Sequence, residues 1–89
     1  MSPWDVKEIV ARYYPTLHCK ELAHGWSFWL GRDRVARVSQ QHAGGVLVLK
    51  PAQSALAAGD RNFIVPISGG IQQVRQLLDQ EIALLQSRR

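Results

Sequence analysis

The amino-terminal segment has the apolar spacing of a helix. Its apolar residues recur at intervals of three and four and would share one helix face: Val6, Ile9, Val10 and Tyr13. Ser2 is a natural N-cap, Pro3 suits the first helical position, and Pro15 cannot continue a helix. The pattern predicts an N-terminal helix that begins after Ser2 and ends before Pro15.

Residues 25–30, GWSFWL, alternate with the period of a strand. Three large side chains share one face: Trp26, Phe28 and Leu30. Ser27 and Trp29 lie on the other face. Turn residues 31–33 and the segment 34–40 complete a predicted β-hairpin. We expect the first of these faces to pack in the core, because the apolar side of a strand normally packs against helices.

The middle of the chain has weaker signals. Residues 16–23 alternate poorly and predict a connector that becomes a strand near Leu22, with a short edge strand as the alternative. The remaining assignments are a strand over 46–49 closed by Pro51, a helical turn over 54–58, and a strand over 62–67 in which Pro66 indicates an edge or a strand end.

The segment 68–89 predicts a long C-terminal helix. Its apolar stripe contains six residues: Ile71, Val74, Leu77, Leu78, Ile82 and Leu85. Leu84 widens the stripe beyond what one small sheet needs. A homodimer, formed through this helix or a sheet edge, and a monomer with a broad core both fit this pattern.

The order of these elements predicts an α+β fold. We expect an N-terminal helix, a three- to four-stranded antiparallel meander and a long C-terminal helix, with both helices packed on one sheet face. A chain of 89 residues can enclose one hydrophobic core, so residues 1–89 are predicted to form a single domain.

Composition narrows the class of protein. The net charge of +4, from 11 Lys and Arg against 7 Asp and Glu, favours acidic partners. The longest apolar run, residues 46–49, is far shorter than the roughly 20 residues that span a bilayer, and the N-terminus lacks a signal-peptide layout. We therefore expect a cytoplasmic protein that does not bind membranes. The single cysteine, Cys19, cannot form an internal disulfide.

Catalytic residue types are sparse and scattered. The histidines, His18, His24 and His42, have neither metal-site nor triad spacing. The carboxylates occur in predicted turns and helices and form no evident acid and base pair. The sequence thus predicts a protein that is not an enzyme and that uses no metal or cofactor.

A candidate partner-binding surface remains on the hairpin, formed by Trp29, Arg32, Arg34 and Arg37. Arg32 lies in the predicted turn. Arg34 and Arg37 fall on opposite faces of an ideal strand, so they share a face only if a bulge intervenes. Trp29 either fills a second layer or is exposed, where a rigid aromatic makes a good anchor. The alternative is an ordinary solvated face.

A second candidate, an anion-binding site, lies before the last helix. Ser68, Gly69 and Gly70 would present free backbone N–H groups at the helix N-terminus, with Arg75 nearby. The segment lacks the lysine and spacing of a P-loop. An ordinary N-cap with a flexible approach to the helix is the simpler explanation.

The helix followed by a Gly-Trp-x-Phe strand, with Gly25, Trp26 and Phe28, resembles small bacterial immunity-type proteins, which neutralise toxins by binding them. The resemblance covers those residues alone and implies binding without catalysis. Independently of this resemblance, a complete set of fold signals without a catalytic constellation predicts a non-catalytic binding protein of inhibitor, immunity or accessory type, with a protein partner. The alternative is a nucleic-acid-binding module in which Trp29 stacks on bases beside the arginines.

Overall fold

The computed structural model describes residues 2–40, 47–54 and 64–88. Two helices and five strands have their bounds in this part of the chain: α1 (Pro3–Tyr13), β1 (His18–Leu22), β2 (Gly25–Leu30), β3 (Asp33–Gln40), β4 (Leu47–Pro51), β5 (Val65–Pro66) and α2 (Gly70–Ser87). The fold is the predicted α+β class.

The strands form one antiparallel sheet in the order β1-β2-β3-β4-β5, which is a meander. Helix α1 packs on β2 and β3, and α2 packs on β3 and β4. Side chains from both helices, from one sheet face and from the connection between α1 and β1 form a single core: Val6, Ile9, Val10, Leu17, Phe28, Val35, Ala36, Val38, Leu47, Leu49, Val74, Leu78 and Leu85. The prediction of helices on one sheet face is confirmed.

Helix α1 begins at the predicted cap. The backbone N–H of Ser2 donates to Asp5 Oδ2 at 2.7 Å and the N–H of Asp5 donates to Ser2 Oγ at 3.4 Å, which makes a reciprocal capping box. The prediction of a buried Tyr13 is wrong, because its side chain is 40% exposed. Tyr14 instead packs against the core, since the chain leaves the helix at this residue and turns it toward α2.

Of the two alternatives for residues 16–23, the connector is wrong and the short edge strand is confirmed. His18 to Leu22 form the edge strand β1, paired residue for residue with β2 from Trp29 to Gly25. Four of its five side chains are exposed, which explains the poor alternation: β1 is held by the backbone ladder more than by burial of its side chains.

The sheet has five strands, whereas the sequence predicts three or four. Strand β4 ends at Pro51, the residue predicted to close it, and the short β5 places Pro66 at the sheet edge as predicted. The helical turn starts earlier than expected, over residues 52–54. The rest of that predicted turn, the beginning of the 62–67 strand and Val46 lie outside the described residues.

Helix α2 buries a narrower stripe than predicted. Val74, Leu78 and Leu85 are buried, and Leu77 and Ile82 pack partly against the core. Ile71 is 41% exposed, so its predicted place in the core is wrong. The position that completes the buried stripe is Glu81, which is 1% exposed. Its carboxylate accepts hydrogen bonds from the Ser54 backbone N–H, at 2.9 Å to Oε2 and 3.2 Å to Oε1.

Tyr14 joins the two helices through its hydroxyl group. Tyr14 Oη donates to Asp79 Oδ1 at 2.6 Å and lies 3.1 Å from the Arg75 carbonyl oxygen. Burial and the hydrogen bond to Asp79 raise the pKa of Tyr14 to about 12, from an ordinary value of 10.0. Folding therefore favours the protonated phenol.

We expect Tyr14→Phe to reduce the free energy of unfolding by about 1 kcal/mol at neutral pH, because one hydrogen-bonded hydroxyl is lost. A raised pKa in the folded state stabilises the protein below pH 10 and this contribution disappears as the pH rises towards 12. The difference between wild type and Tyr14→Phe should therefore shrink over that interval. Urea unfolding at a series of pH values measures it.

Tyr13→Phe is the matched control, since Tyr13 is exposed and adjacent in sequence. It should have nearly the stability of the wild type at every pH. A difference between wild type and Tyr14→Phe that does not change with pH would contradict the role assigned to this phenol.

Candidate functional site

The sheet face opposite the two helices, called the outer face below, carries a row of basic side chains. The strand register aligns Lys20 of β1 with Ser27 of β2, Ser27 with Arg37 of β3, and Arg37 with Lys50 of β4. Residues directly opposite each other in antiparallel strands project from the same face. Lys20, Arg37 and Lys50 therefore form one line across four strands, called the basic row.

Trp29 and Arg34 lie in the next row of the same face. Trp29 is two residues from Ser27 on β2, and it pairs with His18 of β1 and Arg34 of β3. Alternate residues of a strand share a face. The outer face thus joins the aromatic ring of Trp29 to the cations of the basic row.

A β-bulge puts Arg34 and Arg37 on one face. The register of β2 and β3 shifts between Phe28, which pairs with Ala36, and Trp29, which pairs with Arg34. Val35 is the additional residue, and both it and Ala36 are fully buried. A bulge places two consecutive residues opposite one. Arg34 and Arg37 therefore share the outer face, because a bulge separates them along β3.

Two polar contacts hold the indole of Trp29. Its Nε1–H donates to Ser27 Oγ at 2.9 Å, and the Lys20 ammonium nitrogen lies 4.4 Å from its ring centroid. The ring is partly exposed, while Ser27 beside it is only 3% exposed. The indole is therefore held over the sheet in a defined orientation and remains accessible.

The described outer face is entirely basic in its charged groups. Across the register of β1 to β4 it presents Lys20, Arg34, Arg37 and Lys50. Within the same register the acidic residues Glu21 and Asp33 pair with Trp26 and Leu30, which alternate with the outer-face residues of β2. This separation of charge concentrates positive potential on one side of the sheet.

Two members of this surface were not predicted. Lys20 and Lys50 lie on strands whose register with the hairpin cannot be derived from local alternation. By contrast, a signal for the bulge was present in the sequence, because the adjacent apolar residues Val35 and Ala36 interrupt strict alternation between two arginines. Arg32 is exposed in the turn between β2 and β3 and belongs to neither row.

The candidate anion site before α2 is filled by the chain itself. The backbone N–H groups of Ser68 and Gly69 both donate to Gln73 Oε1 at 2.7 Å. Gly70 has a φ of 68°, which glycine adopts readily. Arg75 has its guanidinium carbon 4.4 Å from the Tyr13 ring centroid. An anion at this site would have to displace the Gln73 carboxamide.

A second aromatic surface lies on the helical side of the sheet. Trp4 is 59% exposed and packs edge to face on Trp26, with ring centroids 5.2 Å apart and an interplanar angle of 72°. The Lys7 ammonium nitrogen is 5.1 Å from the Trp4 centroid and 4.5 Å from that of Trp26. Lys7 thereby occupies the angle between the two rings.

Over residues 2–40, 47–54 and 64–88, no three His, Cys, Asp or Glu side chains are grouped closely enough to hold a metal ion. Burial raises the pKa of the Cys19 thiol, which lowers its thiolate content and its reactivity. His42 lies outside the described residues. None of the described helices is both long and apolar enough to cross a membrane.

Comparison of the chain with protein-family models, with curated proteins and with solved structures gave no significant match.

Proposed function

We propose that this chain is a small non-catalytic binding protein that recognises an anionic partner through the outer face of its sheet. The observation that carries the proposal is the alignment of Lys20, Arg37 and Lys50 in one row, with Arg34 beside it and no acidic residue at the outer-face positions of the described β1 to β4 register. Carboxylates and phosphates are the anionic groups that such cations bind.

The cooperation of several cations is essential to this proposal. One exposed ion pair is worth about 0 to 1 kcal/mol, which is too little to hold a partner. A row held by a rigid sheet positions three cations at once. A partner with matching negative charges therefore gains the binding free energy of several ion pairs but loses its translational freedom only once. Such binding weakens as salt screens the charges.

The bulge gives the sheet a specific part in this function. It buries Val35 and Ala36 together and so returns Arg34 to the side that carries Arg37. Bulges re-aim side chains and occur next to functional sites. Strand β3, which has eight residues, thereby supplies both apolar side chains to the core and basic side chains to the outer face.

Binding of two simple polyanions, poly-L-glutamate and inorganic polyphosphate, tests the proposal. We expect the triple variant Lys20→Gln, Arg37→Gln, Lys50→Gln to bind both at least about tenfold more weakly than the wild type, since each lost contact contributes up to about 1 kcal/mol. Fluorescence anisotropy of labelled polyanion at low and moderate salt measures the affinity.

A control variant with the same change in net charge distinguishes binding at the outer face from a general effect of the protein's positive charge. Lys7→Gln, Arg12→Gln, Arg75→Gln removes three cations from the two helices and should change affinity by less than about threefold, as expected for long-range screened charge. Equal losses in the two triple variants would contradict the proposal, and so would failure of the wild type to bind either polyanion.

A further inference from the structure

We infer that the anionic partner is a single-stranded nucleic acid, whose backbone crosses the strands along the basic row while a base stacks on Trp29. This inference rests on the proposed function and adds the class of partner. It is carried by the position of an accessible, oriented indole in the row next to the three aligned cations.

The basic row has the form of a track for a linear polyanion. Lys20 and Lys50 lie on the first and fourth strands of the sheet, with Arg37 between them. Neighbouring strands are about 4.8 Å apart, so the row extends over about 14 Å. That length corresponds to a few nucleotides in an extended strand, and each cation can contact a phosphate along it.

Trp29 lies to one side of the track, where a base would lie. It is two residues along β2 from Ser27, which is in the basic row, a step of about 7 Å. A nucleobase projects sideways from its phosphate backbone, so a backbone bound on the row can reach the indole with a base. Stacking on aromatic side chains is the usual contact of single-strand-binding surfaces.

The indole is prepared for stacking by its own contacts. The hydrogen bond from Nε1–H to Ser27 fixes the ring orientation, which lowers the entropy lost when a base binds. Lys20 is exposed and its ammonium group lies over the ring. Its flexible side chain can move from the ring to a phosphate, which leaves that ring face to a base.

The same geometry distinguishes single-stranded nucleic acid from duplex nucleic acid and from acidic protein segments. The bases of a duplex are stacked on each other, so they offer no free face to Trp29. An acidic protein segment offers carboxylates, which the negative face of an aromatic ring repels. Of the three ligands, a single strand therefore uses both the cations and the indole.

The test is a titration with an oligothymidylate about 12 nucleotides long, which lies within the site sizes of about 4 to 16 nucleotides seen in single-strand-binding folds. A duplex of equal length and poly-L-glutamate are titrated in parallel. A variant with Trp4→Phe and Trp26→Phe leaves Trp29 as the one tryptophan of the three, so that stacking is read from quenching of its fluorescence. We expect quenching by the single strand and binding about tenfold tighter than that of the duplex.

Trp29→Ala should weaken binding of the single strand by about 5- to 150-fold, the range known for one base stacked on an aromatic ring. Trp29→Phe should restore much of the affinity, because phenylalanine also stacks, and circular dichroism confirms that each variant is folded. Trp4→Ala removes an exposed indole from the helical side and should have no effect. Binding of poly-L-glutamate should be nearly the same in all three variants.

The outcomes separate the inference from the proposed function. If poly-L-glutamate binds through the basic row but Trp29→Ala leaves single-strand affinity unchanged, the inference is overturned and an acidic protein partner is favoured. A duplex bound as tightly as the single strand also overturns it. If the wild type binds none of the three ligands, both the inference and the proposed function fail.

Discussion

Replacing Gly25 with alanine is expected to lower the free energy of unfolding by about 3 kcal/mol or more, because the added methyl group has no space. Gly25 is the first residue of β2 and pairs with Ser39 of β3. A Cβ atom at this position would overlap the carbonyl oxygen of Val38 and lie 2.9 Å from its carbonyl carbon. Both atoms belong to backbone, so relief requires the central β2-β3 ladder to shift.

Urea unfolding of Gly25→Ala measures this effect, and Gly31→Ala is the matched control. Gly31 has a φ of 63°, but apart from its chain neighbours no heavy atom lies within 4 Å of the place that a Cβ atom would take. Its replacement should cost only about 1 kcal/mol, from backbone conformation alone. Equal costs at the two positions would contradict the close approach of β2 to β3 at Gly25.

The second large effect is expected at Glu81. Glu81→Ala should lower the free energy of unfolding by about 3 kcal/mol, because it leaves a cavity in the α2 interface and removes the acceptor of the Ser54 N–H. The carboxylate ties α2 to the helical turn that follows β4. Gln53 of the same turn forms hydrogen bonds to β3 and to the residue after α2. Its Nε2 donates to the Arg34 carbonyl oxygen at 3.1 Å, and its Oε1 accepts from Arg88 at 2.9 Å.

Glu81→Gln provides the control for Glu81→Ala. The carboxamide has nearly the same size and keeps an oxygen that can accept from Ser54, so the cost should be only about 1 kcal/mol, that of a charge-assisted bond made neutral. Chemical denaturation compares the two variants. If the free energy of unfolding of Glu81→Ala lies within about 0.5 kcal/mol of the wild-type value, the range of ordinary surface substitutions, this buried carboxylate does not stabilise the fold.

Local patterns predicted the elements whose signals are local. The start of α1 depends on Ser2, Pro3 and Asp5, which interact within one helical turn, and the β2-β3 hairpin depends on alternation next to a glycine turn. The α+β class followed from the order of these elements. Side chains such as Phe28 were correctly placed in the core by period alone.

The errors occurred where contacts between elements override periodicity. Strand β1 buries little, so its ladder with β2 decides its structure. Glu81 is buried although it is charged, because a backbone N–H from another segment binds it. Tyr13 and Ile71 have helical spacing for burial, yet both lie on the exposed side, where Arg75 covers the Tyr13 ring. The partners of Glu81 and Tyr13 are distant in sequence: Ser54 lies 27 residues from Glu81, and Arg75 belongs to the other helix.

The candidate site was predictable in part for the same reason. The alternation of the hairpin strands indicates Trp29, Arg34 and Arg37, because faces can be counted along a strand, but a shared face for the two arginines depends on a bulge. Lys20 and Lys50 join them only through the register of β1 with β2 and of β3 with β4. A sheet surface is assembled by register, which single-strand patterns do not contain.

The most direct test of the outer face as the binding surface is a map of amide chemical-shift changes, recorded by NMR as polyphosphate or the oligothymidylate is added to the isotope-labelled chain. We expect the largest changes at Lys20, Ser27, Trp29, Arg37 and Lys50, and small changes along α1 and α2. Changes centred on the helices, for example around Trp4 and Lys7, would contradict the account, because they would place the partner on the opposite side of the sheet.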